Sequence, residues 1–216
     1  MFPELKRDLH IFLGLAPRRL GKADLALTED DLRAAGAARP GWSPAGWSID
    51  GAARVLSLLR CAGNRPFAER FKDLRRTADV AELIALYRGL PLYPEPETLH
   101  FEVGEGLRSH IKAVFEAIAH QNPYPRDHFD DHRWNHMILK TLFVDSRLSP
   151  IIGLEQRANP ELARILVDYA QERWAAGRPV TGELWIPVRP FRDDPAIKET
   201  LDRAIAEGKL TEEALQ

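Results

Sequence analysis

Apolar positions along the chain recur at three- and four-residue steps and almost nowhere alternate, so the pattern predicts helices from end to end. The densest stretch runs from Asn122 to Asp145, NPYPRDHFDDHRWNHMILKTLFVD. Pro123 and Pro125 fix φ and push the residues before them away from helix, which places a helix start after Pro125. From Asp131 onward Trp134, Met137, Ile138, Thr141, Leu142 and Val144 form one wide stripe. Leu139 and Phe143 lie nearly opposite, between the directions of His132 and His136. Apolar residues on both sides predict a central helix buried between its neighbours.

Punctuation sets the other helices. The first is expected from about Pro3 to Ala16, with Leu5, Leu9, Phe12 and Leu13 on one face, and Pro17 ends it. Thr28 with Asp31, and Asp79 with Glu82, read as capping boxes; Ser48 caps a helix carrying Ala52, Val55, Leu56 and Leu59. Pro66 to Arg76 is a helix of mixed charge, and Gly89 with Pro91 stops the one bearing Val80, Leu83, Ile84 and Tyr87. The connector GLPLYPEPET, near 89–98, reads as an ordered elbow. One helix is expected from Gly104 to His120, with Arg108, Lys112 and Glu116 at successive i+4 steps along its flank. Asn159-Pro160 opens a helix bearing Leu162, Ile165, Leu166, Tyr169 and Trp174 that ends before Gly177, and Asp194-Pro195 opens another. VTGELWIPV comes nearest to a strand and contains a proline. The fold class is therefore all-α, as antiparallel hairpins stacked in a HEAT-like array within a single domain.

A chain of 216 residues with 44% hydrophobic content can bury a sizeable core, and a formal charge of −2 leaves no global field for nucleic acid. One cysteine, Cys61, excludes a disulfide framework and a cysteine-rich zinc site. Lys6 and Arg7 precede a short apolar run, but Asp8, His10 and the lack of a long apolar region argue against a signal peptide. No run reaches membrane-spanning length, so a cytoplasmic protein is expected.

The chemistry candidates are scattered. His128, His132 and His136 recur every four residues, a spacing that lets imidazoles on one helix share a metal, with Asp127, Asp130 and Asp131 nearby. The glutamate of the metalloprotease helix is missing, so hydrogen-bonded or exposed histidines are the expected state, and no metal or cofactor is assigned. His100 and Glu102 form a weak acid/base candidate. Arg18, Arg19 and Lys22 form a basic cluster, and Trp42 and Trp47 are lids over the core or walls of a pocket. Arg173 falls inside an apolar stripe, where it snorkels or answers a buried carboxylate. Asn135 and Glu116 are the polar residues expected to be buried, with Glu116 a candidate partner for Asn135.

The segments NPYPRDHFDDHRWN, LFVDSRLSPIIGL and RANPELARILVDYAQERWAAGRPVTGELW, with APRRLGKADL and RPGWSPAGWSIDGAARVL earlier, resemble the EboA family of bacterial proteins from roughly Leu9 to Phe191. The resemblance carries over to Arg18, Lys22, Trp42, Trp47, Arg108, Glu116, Asn122, Trp134, Asn135, Arg157, Asn159 and Arg173; His132 and His136 depart from the family pattern, and the N-terminus is short for it. It implies a partner in a gene cluster that processes or moves small secondary metabolites. The expected function is non-catalytic binding of a metabolite, or of proteins of the same cluster, through Arg18, Lys22, Trp42, Trp47, Arg108, Glu116, His128 and Asn135. The alternative is a metal-dependent or acid/base enzyme built around His128, Glu116 and Arg108.

Overall fold

The computed structural model describes residues 3–61 and 65–216, with side chains from residue 9 onward. The side chains of Leu5, Lys6, Arg7 and Asp8, and the Gly63-Asn64 break, lie outside what is described. The described residues form eleven α-helices joined by short 3-10 turns, with no strand among them. An isolated bridge pairs Asp24 with Ser48, and the strand-like VTGELWIPV folds instead as a 3-10 turn over Gly182–Trp185.

Two compact units divide the chain, Met1–His128 and Phe129–Gln216. The first holds α1 (Pro3–Leu20), α2 (Glu29–Ala38), α3 (Ile49–Arg60), α4 (Phe67–Thr77), α5 (Val80–Arg88), α6 (His100–Leu107), α7 (Lys112–Ala119) and α8 (Tyr124–His128). Here α3 packs on α1 and α5, and α5 on α7, so the odd-numbered helices follow one another in a row; α4 lies on α5, and α6 on α7. The second unit holds α9 (Asp131–Phe143), α10 (Pro160–Ala175) and α11 (Pro195–Ala206), with α10 packed on both others.

Helix starts obey the local signals. Thr28 and Asp31 exchange bonds between side chain and backbone, as do Asp79 and Glu82. Ser48 accepts from the Gly51 amide, Asn159 from Leu162 and Asp194 from Ala196.

Several expected boundaries move. Pro17 does not end α1, which continues to Leu20. Proline removes the N–H that would have bonded the Leu13 carbonyl, and Arg54 supplies a substitute donor, its Nε lying 3.0 Å from that oxygen. The expected Gly104–His120 helix is two, α6 and α7, parted at Arg108–Ile111, where the Ser109 hydroxyl accepts the Ile111 amide. Arg108 therefore pairs with Glu105 rather than continuing the flank, while Lys112 and Glu116 keep their i+4 pair at 3.8 Å. A short α8 begins at Tyr124, before Pro125, because proline fits the first turn of a helix. On α9 the inner face is buried as expected, but Phe143 is 65% exposed and His132 and His136 are exposed, so the helix is amphipathic and not enclosed on both sides.

The first unit is centred on an aromatic cluster. Phe71 stands 5.9 Å from Tyr87 and 5.6 Å from Tyr93, edge-on to both, and Phe67 lies 4.9 Å from Tyr93. Tyr87 donates to the Glu102 carbonyl and Tyr93 to that of Leu86, so both phenols are satisfied where water is excluded. Burial pushes both phenols above the ordinary tyrosine range. Gly106 allows this packing, because a Cβ there would collide with the Tyr87 ring and with Ile118.

Candidate functional site

A cleft of about 850 Å³ opens in the second unit. Its walls come from the C-terminal ends of α9 and α10, the loop after α9, and the segment that follows Gly177. Gly177 takes φ +65°, the left-handed turn that lets the chain double back after α10. The Arg178 amide then bonds the Arg173 carbonyl at 2.8 Å, and the Arg173 side chain reaches the Pro179 carbonyl through Nε at 3.2 Å and Nη2 at 3.0 Å. Arg173 thus braces one wall by holding a carbonyl, and not a carboxylate.

Phe143 and Tyr169 meet edge-to-face, with ring centroids 5.3 Å apart, and form an aromatic ledge. The opposite rim is polar. Glu183 accepts from the Leu148 amide at 2.7 Å, the Ser149 amide at 3.2 Å and the Arg147 guanidinium. Partial burial pushes its carboxyl upward, but these bonds together outweigh burial and hold it below the ordinary glutamate value. The lining carries Arg147, Arg173 and Arg178 together with Asp145, Glu172 and Glu183, and contains neither histidine nor cysteine.

The residues singled out from the sequence are dispersed. Asn135, 1% exposed, exchanges two amide bonds with Asn159, at 3.2 and 2.9 Å, and Asn159 also caps α10. Its partner is therefore Asn159 rather than Glu116. Beside it, the Arg157 guanidinium stacks on Trp134 at 5.1 Å and bonds the Phe129 carbonyl and Asp131. Asn122, also buried, donates to the carbonyls of Tyr87 and Ala117. These are struts.

Glu116 is half-buried beside Lys112, and Arg108 is exposed beside Glu105. His128 lies against Tyr124 with ring centroids 4.8 Å apart, and neither Arg108 nor His128 is paired with Glu116 among the described residues. His132 and His136 face one another at 4.3 Å, but no group of three histidine, cysteine or acidic side chains converges among the described residues. Glu102 is turned to Arg75. Arg18 is exposed in the last turn of α1; Lys22 and the buried Trp47 line a smaller pocket, and Trp42 stands edge-on to Trp47 at 5.9 Å.

Sequence reasoning did not point to Phe143, Tyr169, Arg178 or Glu183 as neighbours. The one available signal was Arg173, a cation inside an apolar stripe just before a glycine turn.

Among the described residues the fold is helical, and its second unit carries a mixed-charge cleft with an aromatic ledge. Residues 4–189 match the family described as metabolite traffic protein EboA, and the chain belongs to that family. No curated protein and no solved structure matches it. Among the described residues no helix is long and apolar enough to cross a membrane.

Proposed function

We propose that the protein is a non-catalytic helical binding protein that holds a small metabolite in the cleft of its second unit during the traffic of bacterial secondary metabolites, working in the cytoplasm with proteins of the same gene cluster. The observation that carries this reading is the cleft itself. Its volume of about 850 Å³ falls within the range of roughly 300–1,000 Å³ seen for small-molecule sites, and it offers a ring-stacking ledge beside fixed guanidinium groups. Glu183, held ionised by three sets of donors, is suited to maintaining the shape of the rim and poorly suited to proton transfer. The family's description as a metabolite traffic protein supports the same role. The succession of α1, α3, α5 and α7 supports reading the first unit as hairpins of a HEAT-like array, and a family match that runs through both units supports one EboA-type domain.

Native mass spectrometry of protein gently purified from its own host tests the reading. The expected result is a small-molecule adduct on the wild type that is lost from a Phe143→Ala, Tyr169→Ala variant and recovered chemically unchanged after incubation. An adduct retained by that variant, or converted into a second compound, would overturn it.

A further inference from the structure

The smaller pocket, about 260 Å³, is built between α3, α5 and the chain that leads into α3. Two backbone bonds shape it: the Leu25 amide donates to Trp47 at 2.7 Å and the Ile49 amide to Ala23 at 2.9 Å, which fixes Lys22 beside Trp47. Trp47, Ala81, Ile84 and Ala85 give it an apolar wall. At its base lies Arg54, 2% exposed. The Nε of Arg54 is committed to the Leu13 carbonyl and its Nη1 to Asp50 at 3.1 Å, while Nη2 takes no acceptor among the described residues. A guanidinium edge without a protein acceptor that lines a pocket is available to an anion, since guanidinium groups pair most strongly with oxyanions.

Two further cations agree with this. Lys22 and Arg88 line the mouth, both exposed and neither with an acidic partner among the described residues. Against these three cations the lining sets one carboxylate, Asp50, already engaged by Arg54. The first turn of α3, a helix of 12 residues, also borders the pocket and adds its positive end to the same field.

We propose that this pocket binds a small carboxylate with a short apolar body, its oxygens held by Arg54, Lys22 and Arg88 and its chain laid against Trp47 and Ile84. The site is separate from the cleft and stands independently of the function proposed for it.

Isothermal titration calorimetry of the full chain with hexanoate, hexanol and inorganic phosphate tests the assignment. Hexanoate is expected to bind, with hexanol and phosphate each at least about tenfold weaker, because each lacks one half of the recognition. A Lys22→Ala, Arg88→Ala variant changes only exposed side chains and should weaken hexanoate by about tenfold or more. Ile84→Trp should abolish binding by filling the space, while Phe143→Ala in the cleft leaves it unchanged. Absence of hexanoate binding, equal binding of hexanol or phosphate, or binding that survives Ile84→Trp or falls with Phe143→Ala overturns the proposal.

Discussion

Replacing Asn135 with leucine gives the sharpest test of how the second unit is held together. Leucine branches at the same carbon as asparagine, so the change leaves shape nearly constant and removes polarity. In the native protein the Asn135 and Asn159 amides donate to each other at 3.2 and 2.9 Å. After substitution Asn159 keeps its bonds to the Arg157 carbonyl and the Leu162 amide, but one of its N–H groups loses its acceptor and its oxygen loses a donor. Each stranded buried group costs about 1–3 kcal/mol. Burial of the leucine returns about 1.5–3 kcal/mol. The net expectation is a loss of about 1–3 kcal/mol, which for a chain of this size lowers Tm by roughly 2–12 °C. Urea denaturation followed by far-ultraviolet circular dichroism should show a lower midpoint with the native helical spectrum kept. A cycle with Asn159→Asp, which retains an oxygen to cap α10, should give a coupling of about 0.5–3 kcal/mol between the two positions. A midpoint that is unchanged or raised in Asn135→Leu, or strict additivity in the cycle, would refute the reasoning.

Other expectations follow from the same kind of contact. Gly106→Ala should lower the unfolding free energy measured in urea by about 1–3 kcal/mol, because the new methyl must displace Tyr87 or Ile118; a neutral result would show that this layer is loosely packed. Arg54→Met should cost about 3–5 kcal/mol in the same assay, since it strands the buried Asp50 carboxylate and the Leu13 carbonyl together. Glu183→Gln should be destabilising at neutral pH. Because the folded-state value of Glu183 lies below the ordinary 4.5, its contribution is present above that value and fades as pH falls below it, so melting curves of variant and wild type should converge in acid; a gap that persists there would contradict the assignment.

What could be read from the sequence was what a few neighbouring residues decide. Thr28 with Asp31, Asp79 with Glu82, and Asn159-Pro160 sit within four positions of the amides they serve, so their geometry is nearly independent of the rest of the chain. The misplaced boundaries depend on distant partners. The helix runs on through Pro17, where a guanidinium 41 positions beyond Leu13 replaces the missing donor to the Leu13 carbonyl, and Asn135 finds its partner 24 positions on. The break at Arg108–Ile111 between α6 and α7 carries no proline, and its local bond from the Ile111 amide to the Ser109 hydroxyl is one that a serine within a helix does not announce. The cleft was hidden for another reason. Phe143 and Tyr169 occupy helix positions that a core residue would also occupy, and periodicity cannot distinguish a ring facing the core from one facing a cavity.

The two tyrosines of the first unit have a consequence in alkali. Tyr87 and Tyr93 are each hydrogen-bonded to a carbonyl and closed off from water, so neither releases its proton in the folded chain at the pH, about 10, where an exposed tyrosine does. An unfolded chain can release both. The stability that these phenols contribute is therefore complete below about pH 10 and drains away above it, as ionisation pulls the equilibrium toward the open state. Tyrosinate absorbance from this pair should appear together with the loss of helix rather than ahead of it, which makes the ultraviolet spectrum in base a direct reporter of when the aromatic layer opens.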